Sequence, residues 1–148
     1  MHHSKPHATV ATIVEQENKY LLVKEKRDGR TVYNQPAGHI ENGESIVDAA
    51  IRETKEETGW LVMPTRFGGI STYHAPNGVS YIRSTLIAEP LEHNPNATLD
   101  DGILEALWLD YEEILLLEDQ LRSPIVKQVI DDYRLGISYP LELISEQR

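Results

Sequence analysis

Three glutamates in one short segment, Glu53, Glu56 and Glu57, have the residue type and spacing to hold a hard cation. On a helix turning about 100° per residue they fall within an arc of about 100°. Like charges so placed repel, each pair costing about 0.2–0.5 kcal/mol even on an exposed helix. A divalent cation removes that penalty. Mg²⁺ in particular takes a few carboxylate oxygens together with waters and substrate phosphates. The chemistry then open is phosphoryl chemistry: neutralised oxygens, a polarised phosphorus and an attacking water of lowered pKa. The plainer reading is an amphipathic helix with a solvated acidic face, and three acids alone do not separate the two.

The acids need a helix to carry them, and the flanking residues supply one. Ser45, with Asp48 three residues on, has the arrangement of a capping box, and Gly59 is a natural stop. Val47, Ala50, Ile51, Thr54 and Thr58 occupy the arc beside the acids, which makes one side core and its neighbour a bare carboxylate face. Ahead of this helix, Pro36 and Gly38 predict an irregular loop. Strands are expected at Ala8–Glu15, Tyr20–Lys26, Thr31–Tyr33, Val62–Tyr73, Val79–Glu89 and Ile103–Leu109. Turns fall at Gln16–Lys19, Asp28-Gly29 and Pro76-Asn77-Gly78, and Glu92–Asp101 reads as a polar loop. Tyr111–Glu118 is a short helix, and a second, capped by Ser123 with Pro124 in its first turn, runs to Leu135 before Gly136. A strand-rich first part, one central helix and closing helices predict an α+β or α/β sandwich.

The stretch Gly38 to Trp60, GHIENGESIVDAAIRETKEETGW, resembles the Nudix box, with Gly38, Glu44, Arg52, Glu53, Glu56, Glu57 and Gly59 all in register. Thr54 and Trp60 fill its two hydrophobic slots; Thr54 is semi-polar where an aliphatic residue is usual. Asn34-Gln35-Pro36-Ala37-Gly38-His39, Leu121-Arg122-Ser123-Pro124 and Tyr139-Pro140-Leu141-Glu142 extend the similarity, from about His7 to Ile144, towards a bacterial phosphatase branch of that family. The resemblance implies a mixed β-sheet between helices with a loop-helix-loop catalytic motif. It implies Mg²⁺, with Mn²⁺ as a substitute, held by Glu53, Glu56, Glu57 and the main-chain carbonyl of Gly38. It places Glu53, Glu57 and Arg52 in the catalytic set. Arg52, on the flank of the helix away from the three acids, is implied to pair with a box glutamate, Glu44 or Glu56. The general base stays open between a box glutamate and Asp100, Asp101 or Glu105.

For substrate, the wider resemblance implies nucleoside tri- and diphosphates and hydroxymethylpyrimidine diphosphate, a thiamine precursor, attacked at the terminal phosphate with release of orthophosphate. Tyr33 and Gln35 are candidates to stack on and hydrogen-bond a heteroaromatic base, and Tyr73, Tyr81 and Arg83 to face the same cleft, Arg83 on phosphate. Alternating Tyr and Arg also describes the exposed face of an ordinary strand. An ADP-ribose-type pyrophosphatase is the alternative within the family, because Pro76 stands sixteen residues beyond Trp60. A non-catalytic nucleotide sensor is the alternative outside it, and the intact acids speak against that.

The chain of 148 residues suits one domain over 8–148, after a disordered tail or tag remnant at 1–7 that accounts for His2, His3 and His7 without a metal. A net charge of −10 disfavours nucleic acid and anionic membrane as partners, while leaving a small phosphorylated substrate open through a bridging cation. With no cysteine there is no disulfide framework and no thiolate chemistry. No run is long and apolar enough for a membrane span. A cytoplasmic monomer is the expected state.

Overall fold

The computed structural model describes residues 5–147. Among these residues eight strands and three α-helices follow in the order β1 (His7–Gln16), β2 (Lys19–Arg27), β3 (Arg30–Asn34), β4 (Ala37–His39), α1 (Ile46–Thr58), β5 (Trp60–His74), β6 (Ser80–His93), β7 (Ile103–Asp110), α2 (Tyr111–Leu116), α3 (Pro124–Arg134) and β8 (Tyr139–Pro140). They build one mixed sheet in the order β3-β2-β1-β6-β5-β8, with β4 beside β1 and β7 beside β2. β1 runs parallel to β6, and the other pairs are antiparallel.

Strand alternation sends successive side chains to opposite faces, and β1 shows what each face meets. Val10 packs with Ala49 and Ala50 of α1. Ile13 packs instead with Ile114 of α2 and Ile125, Val129 and Ile130 of α3. The sheet therefore lies between α1 and the closing helices, as the α+β reading requires. Fully burying one such aliphatic side chain stabilises by about 1.5–3 kcal/mol, so the two layers fix the sheet from both sides.

Local chemistry sets the ends of α1. Ser45 Oγ accepts from Asp48 N at 2.9 Å, and Gly59 closes the helix in the left-handed region at φ 76°. A Cβ on Gly59 would also come within 2.8 Å of Asn94 O, so glycine is required there twice over. Thr54 is fully buried; its hydroxyl bonds Ala50 O at 2.7 Å and Thr12 Oγ1 at 2.9 Å, which satisfies the polar group the apolar slot had to absorb.

Several boundaries differ from the sequence expectation. His7 opens β1, with its ring nitrogen 2.9 Å from His39, because parallel pairing with β6 continues to Tyr81; of the tail expected at 1–7, residues 1–4 lie outside the described residues. The loop at Pro36–Gly38 contains β4, held by pairing to Thr9–Ala11. β6 runs on into the expected polar loop as far as His93, and β5 starts two residues early at Trp60, since Trp60 pairs with His93. Among the described residues no helix is long and apolar enough to cross a membrane.

Candidate active site

α1 presents its acids where β4 closes over the helix. Glu53 and Glu57 are buried, and Glu56 is half-buried. The carboxylate face is thus covered rather than bare, because Ala37 and Gly38 pass directly above it. Ala37 N donates to Glu57 Oε1 at 3.0 Å. A Cβ built on Gly38 would overlap the Glu53 carboxyl group. Only a residue without a side chain lets the strand approach so closely.

Glu53, Glu56 and Asp100 each offer a carboxylate oxygen within 4.8 Å of the others. Asp100 is brought there by the loop after β6, where its N–H donates to Glu56 O at 3.1 Å. Asp101 and Glu105, exposed like Asp100, lie outside that trio. Glu57 also lies outside it, although its charge is felt with those of Glu53 and Asp100. Burial first, then Glu25, Glu53 and Asp100, push the Glu57 carboxyl up to about 8, against the pull of the Ala37 N–H. Burial likewise raises Glu53, with Arg52 opposing. All the donors are hard oxygens, a set suited to Mg²⁺ or Mn²⁺. Carboxylates that burial and mutual repulsion drive towards protonation are stabilised as anions by a dication, so the residues fit a divalent metal.

Arg52 does not stay apart from the acids. Its Nε and Nη2 donate to Glu44 Oε2 and Oε1 at 2.7 and 3.0 Å, and its Nη1 to Glu53 Oε1 at 2.8 Å and Glu56 Oε2 at 3.1 Å. Nη2 also donates to His39 O at 3.0 Å. The long side chain reaches one turn along the helix and across to the 41–44 loop, so both expected partners are bound, and Glu53 as well. The hydrogen bonds to Glu44 hold the guanidinium above its ordinary pKa and Glu44 below its own.

Beyond Gly38 opens a cleft of about 670 Å³, whose walls include Gly38, His39, Tyr73, Tyr81 and Arg83. Tyr73 and Tyr81 stack with ring centroids 6.4 Å apart. Arg83 is 7% exposed, and its Nη2 donates to Asn34 Oδ1 at 2.9 Å and Gln35 Oε1 at 3.0 Å. Burial pulls this guanidinium down to about 10, still a cation at neutral pH. Tyr33 and Gln35 do not reach the cleft. Tyr33 is 9% exposed beneath the 121–122 segment, whose Arg122 N donates to Tyr33 O at 2.8 Å. Gln35 is 1% exposed, tied to Val126 O at 2.8 Å and to Arg83. Sequence reasoning passed over Arg27, Arg30 and Arg122, which also line the cleft; the Leu121-Arg122-Ser123-Pro124 motif was the available signal.

A NUDIX domain model matches residues 5–130. The chain is 40% identical over 142 residues to the phosphatase NudJ of Escherichia coli K12, covering 96% of this chain and 92% of that protein. A NUDIX hydrolase from Nitrosomonas europaea superposes with a TM-score of 0.94 at 41% identity, over 97% of this chain and 98% of that one. A second NUDIX hydrolase structure from the same organism gives a TM-score of 0.72 at 26% identity, over 94% and 77%.

Proposed function

The chain belongs to the Nudix hydrolase family, and on that premise we propose a Mg²⁺-dependent phosphatase of nucleoside tri- and diphosphates and of hydroxymethylpyrimidine diphosphate, releasing orthophosphate. The observation that carries this reading is the pair Glu53 and Glu56, gathered with Asp100 within 4.8 Å beside Gly38, a residue that packs on the Glu53 carboxyl group and also lines an aromatic and cationic cleft. The likeness to NudJ over nearly the whole chain supports the phosphatase class.

Glu53, Glu56 and Glu57, with the Gly38 carbonyl, would hold the metal. When bound, it neutralises phosphate oxygens and lowers the pKa of the attacking water. Arg52 orients three glutamates at once, so their oxygens need not reorganise during reaction. Asp100, on a loop rather than on the helix, is the base that takes the proton of the attacking water. Arg83 holds a non-reacting phosphate oxygen, itself oriented by the amide oxygens of Asn34 and Gln35. Tyr73 and Tyr81, stacked on each other, offer one aromatic wall to the heterocycle.

One observation keeps the ADP-ribose-type reading as the second choice: Pro76 lines the cleft. The turn, however, is accounted for by its own bonds, Ala75 N to Val79 O at 2.9 Å and Val79 N to Asn77 Oδ1 at 3.0 Å. Product analysis separates the readings. A nucleoside triphosphate, a nucleoside diphosphate, hydroxymethylpyrimidine diphosphate and ADP-ribose are each incubated with Mg²⁺ and scored for orthophosphate and pyrophosphate. Orthophosphate from the first three is expected. Pyrophosphate, or AMP from ADP-ribose at a higher rate, overturns the assignment.

A further inference from the structure

Glu25 is a carboxylate in the wrong place for a surface group. It sits on β2 with 2% exposure, just beyond the buried run Tyr20–Val23. Two guanidinium groups converge on it. Arg122 Nη1 donates to Glu25 Oε1 at 2.8 Å, and Arg27 Nε lies 3.7 Å from Glu25 Oε2. A buried ion pair gives little net stability, because desolvation offsets the Coulombic gain. An apolar side chain would hold β2 as well. Nor is the pair needed to place the 121–122 segment, which is fixed through the main chain by Arg122 N to Tyr33 O.

What the triad does supply is charge and geometry. One carboxylate against two guanidiniums leaves a surplus positive charge, and both arginines line the cleft. They join Arg30 and buried Arg83, while Asp28 is the one carboxylate among the lining residues. In a chain of net charge −10 this is a local reversal of sign. Among the described residues Arg122 commits only Nη1 to a side-chain partner, and its other N–H groups remain available for a fork on phosphate. The site adjoins the reaction centre, since Gly38 and His39 line the same cleft as Arg27 and Arg122.

We propose that Arg122 and Arg27, clamped on the buried carboxylate of Glu25, form a seat for the phosphoryl group that is not attacked. Arg122 contacts the anion, Arg27 adds charge at the rim, and Glu25 is a positioning residue. This rests on the phosphoanhydride reading above and deepens it. The ligand class is an organic di- or triphosphate, and a substrate with a single phosphoryl group loses this anchor.

The test uses ADP as probe, first by calorimetry in EDTA, where no metal-dependent turnover occurs, then kinetically with Mg²⁺. Arg122→Gln weakens ADP binding by about tenfold or more and raises KM by a similar factor, with kcat within about twofold. Arg122→Lys keeps the pair to Glu25 but loses the fork, and falls between. Because Arg122→Gln strips Glu25 of its main partner, the double variant Glu25→Gln/Arg122→Gln is measured beside it, with no unpaired carboxylate left buried at position 25. Arg66→Gln, outside the cleft on β5, matches the charge change and leaves ADP binding unaltered. Wild-type protein that does not bind ADP in EDTA, or an Arg122→Gln or double variant that binds it equally well, overturns the seat. If wild type hydrolyses ADP while the variants match it, the seat falls and the hydrolase reading stands. If ADP binds through Arg122 but nothing is released, the seat stands and the hydrolase reading falls.

Discussion

Replacing Gly38 by alanine adds one methyl group where the structure has least room. A Cβ there overlaps the Glu53 carboxyl carbon and both oxygens. Gly38 is not among the positive-φ glycines, so the backbone itself accepts alanine. The displaced part is the far end of Glu53, which must retreat by about 1 Å or more to reach ordinary contact distance. That movement breaks the 2.8 Å bond from Arg52 Nη1, although Arg52 keeps Glu44 and Glu56. Losing one charge-assisted bond costs about 1–2 kcal/mol. For a chain of this size that lowers Tm by about 3–6 °C. Turnover suffers more, since a misplacement of about 1 Å in a catalytic constellation costs on the order of 100-fold. The assay pairs thermal unfolding with kcat/KM for orthophosphate release at saturating Mg²⁺. A Gly38→Ala protein within about threefold of wild-type activity refutes the claim that this strand and Glu53 are fitted to each other.

Further tests address the surrounding charges. Glu57 has a folded pKa of about 8 against an ordinary 4.5, so the folded protein binds an extra proton between those values. Metal-free stability should therefore fall as pH rises from 4.5 to 8, by on the order of a few kcal/mol. Denaturant titrations in EDTA should show this fall, and Glu57→Gln or added Mg²⁺ should flatten it; an unchanged slope in Glu57→Gln contradicts the assignment. Arg52→Lys cannot reproduce the fork on Glu44 together with contacts to Glu53 and Glu56, and kcat should drop about 10–100-fold with the fold retained. Equal kcat would make Arg52 a surface residue in function. Asp100→Asn should reduce kcat by about 100-fold or more, while Asp101→Asn and Glu105→Gln stay within about twofold; a reversed ranking removes Asp100 as base.

What the sequence revealed follows from how local each signal is. The box helix was legible because its cap, its stop and its periodicity all lie between Ser45 and Gly59, and the acids are carried on that one element. The layers followed from the strand pattern. β4 was missed because three residues have no period to read, and it exists only through pairing with β1. Tyr33 and Gln35 were expected in the cleft because nothing nearby buries them; what covers them arrives from far along the chain, as in the bond from Gln35 to Val126 O across 91 positions. The Glu25–Arg122 pair spans 97 positions and is invisible to any window of sequence. Arg52 was expected away from the acids because a helical projection locates Cα directions, and a guanidinium extends well past its own arc.

On the proposed function, the acids gathered beside Gly38 hold a divalent cation without which the phosphoanhydride is not cleaved. The most direct measurement is orthophosphate release from a nucleoside diphosphate across a Mg²⁺ titration, for wild type and a Glu53→Gln/Glu56→Gln variant, with EDTA as the zero point. Saturable dependence on Mg²⁺, no release in EDTA and loss of release in the variant at every Mg²⁺ concentration are expected. Release that persists in EDTA, or that survives in the double variant, contradicts that reading.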